Sequence, residues 1–255
     1  GRKITFKNTS DDDKELELTT YTEPILCENM ADVSHRAFSN MFIHSDYDKK
    51  TNSLVVRRKS RGESNISSYM VNRLVIADPK EEFTYETERS NFVGRNRVIN
   101  NPKAINEKLT NYAGDNLDPV MSLRNSIEVQ PNSTETVYLI VGFGRSKEQI
   151  QDIVKAYSTE QQIDKAFKFA TLMNIINTKT MSLTGESMRT YNIMLNYLYQ
   201  TNRHFINKDR KEILCKNSMN QTNLWKYGIT GDYPIILVEI HESESLSLVK
   251  EVLKA

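Results

Sequence analysis

The chain has 255 residues, of which 26% are charged and 38% are hydrophobic, and its 34 Lys and Arg nearly balance its 33 Asp and Glu. This composition is typical of a globular protein, and the balanced charge argues against a nucleic-acid or membrane-surface protein, both of which need a basic excess or patch. No apolar run reaches the roughly 18 residues of a transmembrane helix, so none is predicted.

The first half of the chain has the alternating pattern of β-strands. The first two runs flank the polar turn Asn8–Asp13 and are predicted to pair as a hairpin. A second turn is predicted at Pro131–Ser133. Many short strands with polar turns indicate a sandwich or barrel. The predicted strands are 3–8, 14–22, 38–44, 53–58, 70–77, 83–87, 127–130 and 136–142.

The second half changes to a helical period. Ser146 followed by Gln149 predicts a capping box, and Ser158 followed by Gln161 predicts another. Apolar residues then recur at helical spacing. The predicted helices begin after these two caps and at 188–199 and 246–253, and a strand is predicted at 235–240. The composition changes from β to α near Gly142–Ser146.

A search for metal ligands and reactive groups finds little. His35 and His44 could be neighbours across strands, but a zinc site needs two more ligands, so ordinary hydrogen-bonded histidines are the favoured interpretation. Cys27 and Cys215 are predicted to be reduced core thiols, as in a cytosolic protein. The Gly142-Phe-Gly144 segment could hold an anion at a helix start, but a strand-to-helix turn is favoured.

Two further clusters contain side chains suited to binding. Trp225 and Tyr227 precede a tight turn rich in Gly, Asp232 and Pro; they could stack on a sugar face or fill a domain junction. Arg95 and Arg97 are predicted to form local ion pairs with Glu86 or Glu88.

Five segments in order carry a resemblance to a known family. They are Ile4–Pro24, Ala37–Asp48, Glu86–Arg97, Leu117–Arg124 and Leu224–Ile235. Together they resemble glycoside hydrolase family 94, formerly glycosyltransferase family 36, in its cyclic β-1,2-glucan synthase and 1,2-β-oligoglucan phosphorylase branch. The resemblance extends over nearly the whole chain.

The resemblance implies an α+β chain, mainly β in its first half and α in its second. It implies an antiparallel β super-sandwich of the galactose-mutarotase type, followed by linker helices and the start of an (α/α)6 barrel. The domain boundaries expected from it are 1–143 for a partial sandwich, 144–222 for the linker helices, and 223–255 for the approach to the barrel and its first helix. Both ends of the chain are therefore expected to be cut from a longer protein.

The implied function is that of a non-catalytic fragment of an inverting β-glucan phosphorylase or glycosyltransferase, which shapes the glucan site and the dimer. No catalytic residue is carried over, because the family's general-acid Asp is expected beyond Ala255. Inorganic phosphate is the expected co-substrate of the whole enzyme, and no cofactor or metal is expected in this chain.

The expected partners are a β-glucan oligosaccharide, a second copy of the chain, and the catalytic barrel. The residues expected to contact glucan are Trp225, Tyr227, Asp232, Phe38, Asn40 and His44. The expected location is the cytoplasm or the cytoplasmic side of a larger membrane-bound synthase. The alternatives are a stand-alone carbohydrate-binding module and a structural or dimerisation domain. A carbohydrate-binding module needs no appended helices, so the predicted helices favour the fragment of a larger enzyme. Affinity for β-1,2-glucan oligomers distinguishes a binding module from a structural or dimerisation domain.

Overall fold

The computed structural model of the chain describes residues 1–60, 67–199, 208–237 and 249–250. Two compact units are present, Gly1–Lys168 and Phe169–Ala255. Half of the strand predicted at 235–240 and most of the helix predicted at 246–253 lie outside the described residues. The division of the chain at 143 and 222 stays a prediction.

Among the described residues of the first unit, eight strands form two antiparallel sheets. The larger sheet has the order β1-β8-β5-β4-β3 and the smaller has the order β2-β7-β6. The predicted antiparallel β-structure followed by helices is confirmed. The strands are β1 (Arg2–Lys7), β2 (Lys14–Thr19), β3 (Ile43–Asp48), β4 (Ser53–Arg58), β5 (Ser68–Val75), β6 (Thr84–Glu88), β7 (Pro119–Val129) and β8 (Thr134–Gly144).

Alternation along the strands builds the core. On β4, Leu54 and Val56 are fully buried, whereas Val55 and Arg57 alternate with them and are only half-buried. Residues of both sheets share this cluster, since Met121 and Leu123 of β7 join it from the smaller sheet. Removing these side chains from water stabilises the fold by about 25 cal/mol per Å² of apolar surface.

The predicted hairpin between the first two strands is wrong. β1 pairs with β8 and β2 pairs with β7, so the two strands belong to different sheets. The turn itself is present: Asn8 Nδ2 donates to the carbonyl oxygens of Asp12 at 2.7 Å and Val129 at 2.9 Å. These bonds fix a turn that carries the chain from one sheet to the other. The alternating pattern of the two flanking strands is the same for such a turn as for a hairpin, so it does not distinguish the two.

The strand predicted at Phe38–His44 is also wrong in its first half. Residues Asn29–Asn40 form helix α1, and β3 begins only at Ile43. The helix starts after Glu28 without a side-chain cap, and its backbone is non-helical at His35. The sequence therefore lacks the start signal by which a helix is recognised.

The later helices begin where polar caps allow. Ser146 Oγ accepts from Gln149 N at 3.3 Å and Gln149 Oε1 accepts from Arg145 N at 2.7 Å, which confirms the first predicted cap. The second cap lies one residue later than predicted, because Thr159 Oγ1 accepts from Gln162 N. The helices are α1 (Asn29–Asn40), α2 (Arg89–Val93), α3 (Lys147–Ala156), α4 (Glu160–Thr180), α5 (Gly185–Tyr199) and α6 (Lys208–Cys215).

Helix α3 and the start of α4 cover part of the larger sheet on the face away from the core. Gly142 permits the close approach of α3, because a Cβ there would lie 2.9 Å from Ile153 Cγ2. Ile163 of α4 packs with Val75, Tyr138 and Ile140 of the sheet. The side of this face formed by β3 and β4 stays open beside α3.

The second unit begins within α4 and contains α5, α6 and a 3-10 helix at Gln221–Tyr227. The tight turn predicted after Tyr227 is present: Gly228 and Gly231 both have positive φ, of 74° and 77°. Within the described residues, none of the helices combines the length and apolar character that crossing a membrane requires.

Candidate functional site

The residues predicted on the α1–β3 segment occupy three different environments. Phe38 is exposed, and its ring contacts the ring of Phe42 edge to face with centroids 5.6 Å apart. Asn40 is buried, and its Nδ2 donates to the Leu117 carbonyl at 3.0 Å. That bond attaches the end of α1 to the segment before β7, so the Asn40 amide nitrogen serves the fold.

His44 lies between two carboxylates. Its Nδ1 is 2.7 Å from Asp115 Oδ1, and its Nε2 is 3.2 Å from Asp46 Oδ1. The hydrogen bond with the His44 ring is the largest cause of a lowered pKa at Asp115. His44 therefore fixes the loop before β7 against the edge of the larger sheet.

An open cleft of about 610 Å³ lies next to His44, on the face of the sheet away from the core. The strand register places Arg57 of β4 opposite both His44 of β3 and Tyr69 of β5. Arg57 Nε is buried and, among the described residues, has no hydrogen-bond partner. The lining residues are Asp46, Tyr47, Asp48, Lys50, Val55, Arg57, Tyr69, Lys147 and Gln151.

The chemistry of this charged cleft favours binding of a polar ligand. The aspartates, the cationic side chains, the two tyrosines and the glutamine amide can together accept and donate hydrogen bonds. Arg57, Tyr69 and Lys147 were not predicted as site residues. Tyr69 lies just before the strand predicted at 70–77, and only the observed register places it opposite Arg57. Only the strand pairing and the docking of α3 show that the three converge.

A second polar network joins the end of β2 to helices α1 and α2. Glu23 forms ion pairs with Arg36 at 2.9 Å and Arg89 at 3.0 Å, and accepts a 2.5 Å hydrogen bond from the Tyr21 hydroxyl. Burial and the bond to Glu23 raise the pKa of Tyr21 to about 12. The Tyr21 bond, followed by the two arginines, lowers the pKa of Glu23. These groups stabilise the packing of the helices.

The predicted ion pairs of Arg95 and Arg97 with Glu86 or Glu88 are wrong. Both arginines are exposed, and among the described residues neither forms an ion pair with those carboxylates. Glu86 is instead buried and accepts from the backbone N–H groups of Thr87 and Glu88 at 3.0 Å. Neutral donors therefore satisfy it.

Among the described residues, the carboxyl groups with a shifted pKa lack the raised pKa that a general acid needs. In the described part of the chain the pKa values of Glu23, Asp115, Glu148 and Asp164 are all lowered, chiefly by hydrogen bonds. A general acid near neutral pH needs a raised pKa. These four groups are therefore carboxylates at neutral pH and suit hydrogen-bond acceptance.

The described residues bring together no group of three or more His, Cys, Asp and Glu that could hold a metal ion. Both cysteines are free; Cys27 is half-buried and Cys215 is exposed. The prediction that they belong to the core is wrong.

The aromatic residues predicted to contact glucan are exposed in the second unit. Trp225 is 62% exposed and Tyr227 is 70% exposed. Trp225 Nε1 donates to the Thr230 carbonyl at 3.3 Å, and the backbone N–H of Asp232 donates to Thr230 Oγ1 at 3.4 Å. These bonds to Thr230 connect Trp225 and the Asp232 backbone to the turn, and the rings of Trp225 and Tyr227 are exposed to solvent. The role of Trp225, Tyr227 and Asp232 in glucan binding stays a prediction.

Comparisons with known proteins agree with this architecture. Residues 1–160 match the family model of the glycosyl hydrolase 94 supersandwich domain, which is more than half of the chain. The whole chain is also 24% identical, over 258 residues, to the cyclic β-(1,2)-glucan synthase NdvB of Rhizobium meliloti (strain 1021). The match spans only 9% of that synthase. The family predicted from the five segments is confirmed.

Proposed function

The chain belongs to the glycosyl hydrolase 94 supersandwich family, and from this premise we propose that it is the non-catalytic, glucan-binding sandwich of an enzyme that acts on β-1,2-glucan. The match of residues 1–160 to the supersandwich domain is the observation that carries the proposal. The choice of β-1,2-glucan draws on the similarity to a protein named as a cyclic β-(1,2)-glucan synthase.

Two properties of the described residues support a binding role without catalysis. The pKa values of Glu23, Asp115 and Asp164 are lowered, which disfavours the action of these carboxyl groups as general acids. The open face of the larger sheet offers a cleft lined by hydrogen-bonding side chains. In this proposal a catalytic barrel of the same enzyme cleaves the glycosidic bond, with inorganic phosphate as co-substrate. The proposed location of the enzyme is the cytoplasm or the cytoplasmic side of a membrane.

The test combines binding with activity on the same preparation. Isothermal titration calorimetry of the 255-residue chain with β-1,2-linked gluco-oligosaccharides is expected to show saturable binding, and β-1,4-linked gluco-oligosaccharides of equal length serve as the control for linkage. Incubation with β-1,2-glucan and inorganic phosphate is expected to release no glucose 1-phosphate. Release of that product would overturn the non-catalytic role, and lack of binding would overturn the glucan-binding role.

A second candidate function is dimerisation. Helix α4 exposes apolar side chains over several turns, including Phe169, Leu172 and Ile176. Exposed apolar surface of this kind marks interaction sites. Light scattering of the purified chain tests it: a dimer that Leu172→Glu converts to monomer supports this role, and a monomer at all concentrations rejects it.

A further inference from the structure

A cleft of about 540 Å³ lies at the end of the sandwich, between the β3–β4 turn, the segment before β6 and the loop that follows α2. We call it the tyrosine cleft. Its size falls in the range of small-ligand sites. Its lining residues are Tyr47, Lys49, Asn52, Pro79, Glu81, Glu82, Phe83, Tyr85 and Asn111.

Two tyrosines form an aromatic surface in the cleft. The rings of Tyr47 on β3 and Tyr85 on β6 stack with centroids 4.0 Å apart and an interplanar angle of 19°. The two strands belong to different sheets, and both rings rest on the core cluster. Because packing holds the rings in place, little conformational entropy is lost when a ligand contacts them.

Two asparagines hold their amides in place while leaving donors free. Asn52 Oδ1 accepts from the Tyr47 hydroxyl at 3.0 Å, and Asn111 Oδ1 accepts from the Tyr85 backbone N–H at 2.9 Å. Within the described part of the chain, the NH₂ groups of both asparagines and the Tyr85 hydroxyl have no protein partner. Each NH₂ group offers two donors and the hydroxyl offers a donor and an acceptor.

The charge of the cleft selects against anionic ligands. Glu81 and Glu82 contribute two carboxylates against the single ammonium of Lys49, which lies 3.2 Å from Glu82. The Glu81 carboxylate has no partner among the described residues and can accept hydrogen bonds from hydroxyl groups. A neutral ligand with an apolar face and several hydroxyls fits this combination, whereas a phosphorylated one meets repulsion.

We propose that the tyrosine cleft binds a glucosyl unit of a β-linked glucan. The sugar contacts the aromatic surface of Tyr47 and Tyr85, and its hydroxyls bond to the amide groups of Asn52 and Asn111, to the Tyr85 hydroxyl and to the Glu81 carboxylate. This assignment rests on the proposed function and adds to it the place of binding and the groups that recognise the sugar.

Two single-residue variants test the assignment in the full chain. Asn52→Gly removes the amide, including the acceptor of the Tyr47 hydroxyl, and glycine readily adopts the left-handed backbone there, where φ is 48°. Tyr85→Phe removes only a hydroxyl. The matched control is Asn132→Gly, because Asn132 has φ 52° in the turn between β7 and β8 and does not line the cleft.

Calorimetry with β-1,2-linked gluco-oligosaccharides is expected to show a Kd about fivefold higher for each cleft variant, as expected for one lost hydrogen bond. Asn132→Gly is expected to keep the Kd of the unmodified chain. Circular dichroism and the urea midpoint of unfolding verify that every variant is folded.

The outcomes distinguish a failure of the site assignment from a failure of the proposed function. If the unmodified chain binds glucan and all three variants bind equally well, the assignment to the tyrosine cleft is overturned while the proposed function stands. If the unmodified chain does not bind, the proposed function fails and the assignment fails with it.

Discussion

Glu86 of β6 provides a test of how the loop beside the tyrosine cleft is held. Glu86 is 1% exposed. One oxygen accepts from the backbone N–H groups of Thr87 and Glu88 at 3.0 Å, and the other accepts from Thr110 Oγ1 at 2.6 Å and more weakly from Thr110 N at 3.4 Å. The side chain therefore ties the loop containing Asn111 to the smaller sheet.

Glu86→Ala removes every one of these acceptors. Thr87 is fully buried, so its N–H is left without a partner, which costs about 1–3 kcal/mol, and each partly exposed donor loses about 0.5–1.5 kcal/mol. We expect the free energy of unfolding to fall by about 3 kcal/mol. Glu86→Gln keeps an acceptor for Thr87 and Glu88, and the Thr110 hydroxyl can turn to accept from the new amide, so we expect a loss of about 1 kcal/mol.

Urea unfolding followed by circular dichroism measures these differences. Arg95→Ala and Arg97→Ala are the controls, because the sequence pattern suggested them as partners of Glu86 and the structure leaves both exposed. We expect each to change stability by less than about 0.5 kcal/mol. The reasoning is refuted if Glu86→Ala costs less than about 1 kcal/mol, or if either arginine variant costs as much as Glu86→Ala.

Three further predictions concern packing and charge. Gly142→Ala should lower the stability by about 1–3 kcal/mol, because its Cβ would lie 2.9 Å from Ile153 Cγ2 and 3.0 Å from Val71 Cγ1. Ile153→Ala in the same chain should remove part of that penalty, since the contact with Val71 remains; equal penalties in both backgrounds would contradict the close approach of α3. Ile163→Ala should cost about 2–5 kcal/mol, since the side chain is 1% exposed, whereas Ile175→Ala, at 48% exposed, should cost little; similar unfolding midpoints would disprove the docking of α4. The folded state lowers the pKa of Glu23, so the stabilisation by the Glu23 carboxylate is present above the ordinary value of 4.5 and is lost as the pH falls through the lowered value. The difference in free energy of unfolding between the unmodified chain and Glu23→Gln should therefore shrink below pH 4.5. A difference that grows there would contradict the ion pairs.

Strands and caps were predictable wherever the signal is local. The alternation of Ser53–Arg58 gave β4 with its observed bounds, and Ser146 with Gln149 gave the start of α3. Strand pairing was not predictable, because the turns at Asn8–Asp13 and Pro131–Ser133 both carry the chain to the other sheet, while their residues favour a turn of any kind. Helix α1 was missed since it has no side-chain cap and is interrupted at His35.

The binding residues were less predictable than the strands. His44 was identified, but only the structure shows that Asp115 and Asp46 occupy its ring nitrogens. The tyrosine cleft has no signal in the sequence, because Tyr47, Phe83 and Asn111 come from three separate segments. Their convergence depends on strand pairing and on the loop held by Glu86, both of which are non-local.

Chemical-shift mapping by nitrogen-edited nuclear magnetic resonance tests the central claim most directly. The isotope-labelled chain is titrated with a β-1,2-linked gluco-oligosaccharide, and backbone amide shifts are followed. A glucan-binding sandwich predicts saturable shifts clustered at the β3–β4 turn, at Glu81–Tyr85 and around Asn111. The absence of saturable shifts at millimolar sugar, or shifts confined to the segment around Trp225, would contradict the account.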